Sequence, residues 1–176
     1  SETHIISMAV DKSGNLYAGT DSNGVVLRIS PEGKAFAILD ASLREIHELA
    51  VAPDGSVYAL ALSDSASASR PNPAAVTGQA PDGTSVVVSV TSVEGAAIEP
   101  PKSRYELTTA KSAVYRIATD GSSEVVWSSP SVTGFSLSVN QSGNGVLLGT
   151  SDKGRIYNIT RDGRETLLLQ TNEGQV

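Results

Sequence analysis

Cysteine is absent from the 176 residues, which excludes a disulfide framework, a thiolate nucleophile and a cysteine-ligated zinc. Basic side chains are scarce: 13 Lys and Arg stand against 19 Asp and Glu, a net charge of −6. A nucleic-acid backbone would find no positive footprint on such a chain. No apolar run approaches the roughly 20 residues that a membrane-spanning helix needs, and no signal peptide is visible in the residues given. With one Trp, one Met and two Phe, the core must come from aliphatic residues and the five Tyr.

What the chain does contain is a repeat. Residues 5–39 hold four short runs rich in Val, Ile, Leu and Tyr, at about 5–10, 16–20, 25–30 and 34–39. Turn sequences separate them: Asp-Lys-Ser-Gly at 11–14, Asp-Ser-Asn-Gly at 21–24 and Pro-Glu-Gly at 31–33. Asp and Pro favour turn entry and Gly accepts positive φ, so the pattern predicts a four-stranded antiparallel meander.

The pattern then returns twice. Met8, Val10, Gly14 and Tyr17 fall on Leu49, Val51, Gly55 and Tyr58, while the second half of that copy resumes only at Val114, Arg116, Ile117 and Gly121, which fall on Val26, Arg28, Ile29 and Gly33. The third copy is continuous, with Gly149, Thr150, Gly154, Ile156, Ile159 and Gly163 on Gly19, Thr20, Gly24, Val26, Ile29 and Gly33. Gly121 and Gly163 are 42 residues apart and Gly33 and Gly121 are 88 apart, so the second copy carries 46 residues in excess. A period of about 40 to 45 residues with four strands per unit is the spacing of propeller blades.

On those residues the chain resembles a β-propeller of the NHL, gluconolactonase-like or WD-repeat kind, with three blades. The predicted fold class is all-β, built from four-stranded antiparallel blades at about 5–39, 45–62 with 113–128, and 133–170, and amounting to half of a six-bladed ring. Residues 63–112 form an insertion that opens with a Ser, Ala and Pro-rich stretch too poor in apolar residues to order itself. A β-prone run at 85–93 and a partner at 103–110 suggest a protruding hairpin. Propellers close with four or more blades, so the two end faces of a three-blade unit call for cover. Either a second copy of the chain or the missing blades of a longer one would supply it.

The insertion joins a second strand to a third. It therefore emerges on the face that also carries the blade-joining connections at 40–44 and 129–132, and long loops on a rigid scaffold often carry function. The repeat register gathers Asp21, Asn23, Asp40, Arg44, Glu45, His47, Asp152 and Lys153 at that face as ligand-binding candidates. One column departs from the repeat: Ile6, His47 and Phe135 are equivalent, as are Ser7, Glu48 and Ser136, and only the second copy is charged there. Glu45 and His47 share one side of their strand, an arrangement able to bind a metal or abstract a proton. Against this stands the commoner role of a lone strand histidine, packing or meeting solvent.

In the gluconolactonase-like propellers acidic and amide side chains of several blades converge on a divalent metal. Here only Glu45 or Glu48 could stand in, and their equivalents are His4 or Ser7 and Thr133 or Ser136. The function expected is accordingly a non-enzymatic binding or interaction module of unknown ligand and without a cofactor. The alternative is a metal-dependent lactonase or other hydrolase, with His47 and Glu48 as weak metal ligands and its site completed by dimerisation or missing blades. A periplasmic or extracellular location is favoured by composition alone. The Asp-Gly pairs at 54–55, 82–83, 120–121 and 162–163 lack the spaced acidic ligands of a calcium loop and read as hairpin turns.

Overall fold

A computed structural model describes residues 4–63, 107–151 and 153–171. Among them are twelve strands and no helix, arranged as three four-stranded antiparallel sheets in which every strand pairs with its sequence neighbours. Blade 1 contains β1 (Ile5–Val10), β2 (Leu16–Thr20), β3 (Val25–Ile29) and β4 (Ala35–Asp40). Blade 2 contains β5 (Glu45–Val51), β6 (Val57–Leu62), β7 (Ser112–Ile117) and β8 (Ser123–Ser129). Blade 3 contains β9 (Gly134–Val139), β10 (Gly145–Thr150), β11 (Arg155–Thr160) and β12 (Glu165–Gln170). Strands β6 and β7 pair directly, Leu62 with Ser112, across the intervening span. The run at 85–93 lies outside the described residues; of the run at 103–110 only 107–110 are described, and they form no strand.

Hairpin chemistry follows the turn residues. The Asp11 carboxylate accepts the N–H groups of Ser13 (2.8 Å) and Asn15 (2.9 Å), Asp54 accepts that of Ser56 and Asp120 that of Ser122. Asn140 accepts the N–H of Asn144 in blade 3. The bonds of Asp11 to Ser13, Asp54 to Ser56 and Asp120 to Ser122 are Asx turns, in which the side chain replaces a main-chain acceptor. They explain the acidic residues at 11, 54 and 120 without a metal.

Two β-bulges recur at equivalent places in all three blades. One lies in the first strand, where Ile6, His47 and Phe135 are passed over in the pairing with the second strand. The other lies in the fourth strand, at Ile38, Val126 and Leu168. A bulge bends its strand and raises the local twist, so the same curvature is built into each unit.

The first strands lie side by side, β1 against β5 and β5 against β9, and the blades enclose two cores. Val26, Leu39, Ile46, Leu49, Ala59, Ala113 and Tyr115 fill the space between blades 1 and 2. Tyr58, Leu60, Leu62, Val114, Trp127, Val146, Leu148 and Ile159 fill that between blades 2 and 3. Tyr17, Tyr58 and Tyr115 are buried between blades, as inter-blade packing requires. Trp127, although in the outermost strand of blade 2, is buried at the junction inside the chain, and its indole N–H donates to Glu165 at 2.7 Å. Indole rings bury well where the N–H finds an acceptor, and blade 3 supplies one.

The outer sides of blades 1 and 3 differ from these cores. Ile5, Met8 and Val10 are exposed on one, with Met8 at 68% and Val10 at 63%, and Leu169, which pairs with Ile156, is exposed on the other. The middle blade, by contrast, is buried throughout β6 and β7.

Candidate functional site

Loops between second and third strands and connections between blades meet on one face, held by main-chain bonds. Gly24 N–H donates to the Arg44 carbonyl (2.7 Å) and Ala41 N–H to the Gly24 carbonyl (2.9 Å); Asp21 N–H reaches His4 O and Ser151 N–H reaches Thr133 O. The bulged residues of the three first strands lie next to this face. Phe135 meets His47 edge to face, ring centroids 6.4 Å apart at 79°.

Two histidine–carboxylate pairs occupy successive blades here. His47 Nδ1 lies 2.8 Å from Glu45 Oε1, both side chains being substantially buried at 33% and 17% exposure. Glu45 and His47 stand two residues apart on β5 and so share one side of the strand, with their heads in reach beside the bulge at 47. In blade 1, His4 binds the Asp21 carboxylate twice, through its main-chain N–H (2.9 Å) and through Nδ1 (2.8 Å). The main-chain N–H of His4, then its ring, then the Ser22 hydroxyl hold the Asp21 carboxyl down to about 2.

A pH dependence follows. Because the folded value for Asp21 lies below the unbonded value of 3.8, its contribution to stability is complete above the higher figure and is lost as pH falls through the lower. Asp11, held low first by the Asn15 side chain, and Asp120, held low first by the Ser122 hydroxyl, act in the same direction. The melting temperature is expected to be flat from about pH 7 to pH 5 and to fall from about pH 4 to pH 2. In Asp21→Asn the acid slope should be shallower; a slope identical to that of the parent in calorimetric melts would show that the His4 contact contributes nothing.

Other residues expected at the face are distributed less tightly. Asp40, Arg44, Asn23 and Lys153 are solvent-exposed, Lys153 with a left-handed φ of 53°, and Asp152 lies outside the described residues. Glu48 is committed elsewhere: its Oε2 accepts the Leu137 N–H at 2.7 Å, tying blade 2 to blade 3. Ser7, its equivalent in blade 1, donates its hydroxyl to the Ile46 carbonyl at 2.6 Å across the preceding junction. Among the described residues no three His, Cys, Asp or Glu side chains gather as metal ligands.

On the opposite, hairpin face the structure reveals a feature that sequence reasoning missed. Arg116, 6% exposed, donates to Ser56 Oγ (2.9 Å) and pairs with Glu124 (3.2 Å). Glu124 borders an open concavity of about 550 Å³ shared with Asn144, Thr160, Arg161, Asp162 and Arg164. The available signal was the register itself, which sets Arg116 directly opposite Glu124.

Neither a protein-family model nor a curated protein matches the sequence. Solved structures do resemble the chain. A catalytically inactive form of virginiamycin B lyase from Staphylococcus aureus, crystallised with quinupristin, superposes with a TM-score of 0.62 at 14% identity, over 98% of this chain and 43% of that one. The fold is that of a β-propeller. The selenomethionine form of the same lyase gives 0.59 at 12% identity, over 98% and 46%, and a chain of a nidogen–laminin complex gives 0.56 at 14%, over 97% and 50%. At such identities the likeness is one of fold alone, and this propeller chain spans at most half the length of each of these structures.

Proposed function

We propose that the chain is a β-propeller binding module that recognises its ligand at the blade-joining face, around the His47–Glu45 pair. Propeller-type neighbours include an enzyme and a member of a protein complex, so the fold leaves both classes open and the site must decide. The observation that carries the reading is the half-buried Glu45–His47 pair seated on a bulge and edged by Phe135. It joins a hydrogen-bonding imidazole and carboxylate to an aromatic edge, chemistry suited to gripping a small polar ligand or a peptide side chain. The exposed Asp40, Arg44 and Lys153 supply a charged rim.

The test is two-dimensional NMR of the ¹⁵N-labelled chain titrated with a panel of sugars, dicarboxylates and tripeptides. Shifts should concentrate at 21–24, 41–48 and 133–136 and vanish in His47→Ala. Perturbations confined to the hairpin concavity of Glu124 and Arg161 would move the site to the other face. Zinc and calcium melts separate the hydrolase alternative: a metal-dependent rise in melting temperature that His47→Ala abolishes would replace the binding-module reading.

A further inference from the structure

We infer that the outer face of blade 3 is built to receive blade 1 of a second copy of this chain, so that two chains close one six-bladed ring. The inference concerns the blade ends and stands independently of the ligand reading.

The argument starts from the junction between blades 1 and 2. Ser7 pairs with Gly19 across β1 and β2, and together they form the seat for Ile46 of the next blade. A Cβ at Gly19 would overlap Ser7 Oγ and approach Ile46 Cγ2 to 2.5 Å, and the Ser7 hydroxyl caps the Ile46 carbonyl. Without a side chain at position 19, the isoleucine enters. The junction between blades 2 and 3 inverts the sizes. Glu48 pairs with Leu60, and the residue facing them is Gly134, whose absent Cβ would lie 2.8 Å from Leu60 Cδ1. In one junction a glycine seat receives an isoleucine; in the other a leucine covers a glycine.

Blade 3 presents the first of these seats again. Ser136 pairs with Gly149, as Ser7 does with Gly19, and Ser136 is exposed on the outer side. The residue equivalent to Ile46 and Gly134 in blade 1 is Ile5, which pairs with Thr20 as Ile46 pairs with Ala61 and Gly134 with Thr150. Ile5 is 47% exposed. The seat of Ser136 and Gly149, its glycine buried within the chain, and the exposed isoleucine are complementary in kind: a serine hydroxyl for a main-chain carbonyl, and a glycine for a branched side chain. A glycine in place of Ile5 would have left a void, and a leucine in place of Gly149 would have collided with it.

The remaining faces agree. At the positions where blade 3 packs Leu137, Val139, Val146 and Ile159 against blade 2, blade 1 presents Met8, Val10, Leu16 and Ile29 to its outer side, in the same register. The contact is heterologous, tail of one copy to head of the other, and such contacts close only when the summed rotation completes a turn. Two three-blade chains give six blades, within the usual four to eight; three chains would exceed it.

Light scattering on the full chain across a concentration series tests this. A plateau at about twice 18.2 kDa is expected. Gly149→Leu and Ile5→Gly should each weaken the dimer, the former roughly 100-fold or more because both seams are overpacked. The double variant, which copies the Leu60–Gly134 junction, should recover the plateau. Leu60 already occupies the equivalent position of a buried strand, so Gly149→Leu leaves the blade able to form; Met8→Glu, at a position 68% exposed in one chain, provides a second disruption that spares the chain's own cores. A monomer at every concentration, a mass that climbs without a plateau at two copies, or a dimer indifferent to all these changes would overturn the inference.

Discussion

Gly24→Ala is expected to cost about 3 kcal/mol of stability and to disorganise the blade-joining face, although it adds a single methyl group. Gly24 sits at φ 63°, where an L residue loses roughly 1 kcal/mol. A Cβ there would also overlap the Leu43 carbonyl oxygen and stand 3.1 Å from that of Ala41. Both carbonyls belong to the connection between blades 1 and 2, and the same glycine exchanges main-chain hydrogen bonds with Arg44 and Ala41. The methyl group cannot enter unless that connection moves away, an overpacking cost of about 1 to 3 kcal/mol. Gly33→Ala isolates the backbone share, because Gly33 has a comparable φ of 82° but nothing within 4 Å of the added carbon. Urea midpoints should separate the two variants clearly. Equal losses would mean that the Leu43 connection yields freely and does not hold the face.

Leu60→Ala is expected to remove about 3 kcal/mol, within the 2 to 5 kcal/mol range of buried leucine truncations. Leu60 is fully buried between blades 2 and 3 and covers Gly134, which has no side chain with which to fill the space. The hollow therefore has a bare backbone on one side and can collapse only if blade 3 shifts as a whole. That loss is a large part of the 5 to 15 kcal/mol that holds an ordinary domain folded. A denaturation midpoint that falls by less than about 1 kcal/mol would show that blade 3 does slide inward.

The strands were legible in the sequence because each blade repeats its own punctuation: Asp or Asn at 11, 54 and 140, and Gly at 14, 55 and 143, lie between runs whose burial is set by neighbouring blades. The column of Ile6, His47 and Phe135 also stood out by alignment. That these three are bulged did not, because a bulge is a property of main-chain pairing and leaves no fixed residue type behind. The Glu45–His47 pair could be placed on one side of a strand, yet the division of labour between Glu45 and Glu48 could not. Which of the two reaches the Leu137 N–H depends on how blade 3 packs against blade 2. Arg28 and Arg116 are equivalent in sequence and opposite in burial. Arg28 is exposed while Arg116 is enclosed with Ser56 and Glu124, a contrast created by tertiary neighbours alone.

The direct pairing of Leu62 with Ser112 has a consequence for chain entropy. Forty-nine residues intervene between these partners, where hairpin turns elsewhere in the chain use about five. Because the entropy of closing a loop grows only with the logarithm of its length, the longer tether costs about 2 kcal/mol more than a short turn would. Blade 2, gripped on both sides, is the blade whose burial can best offset that cost. The long span is thus carried at the one blade whose loss would expose the most, which makes the β6–β7 junction a place where the chain can change length without surrendering its fold.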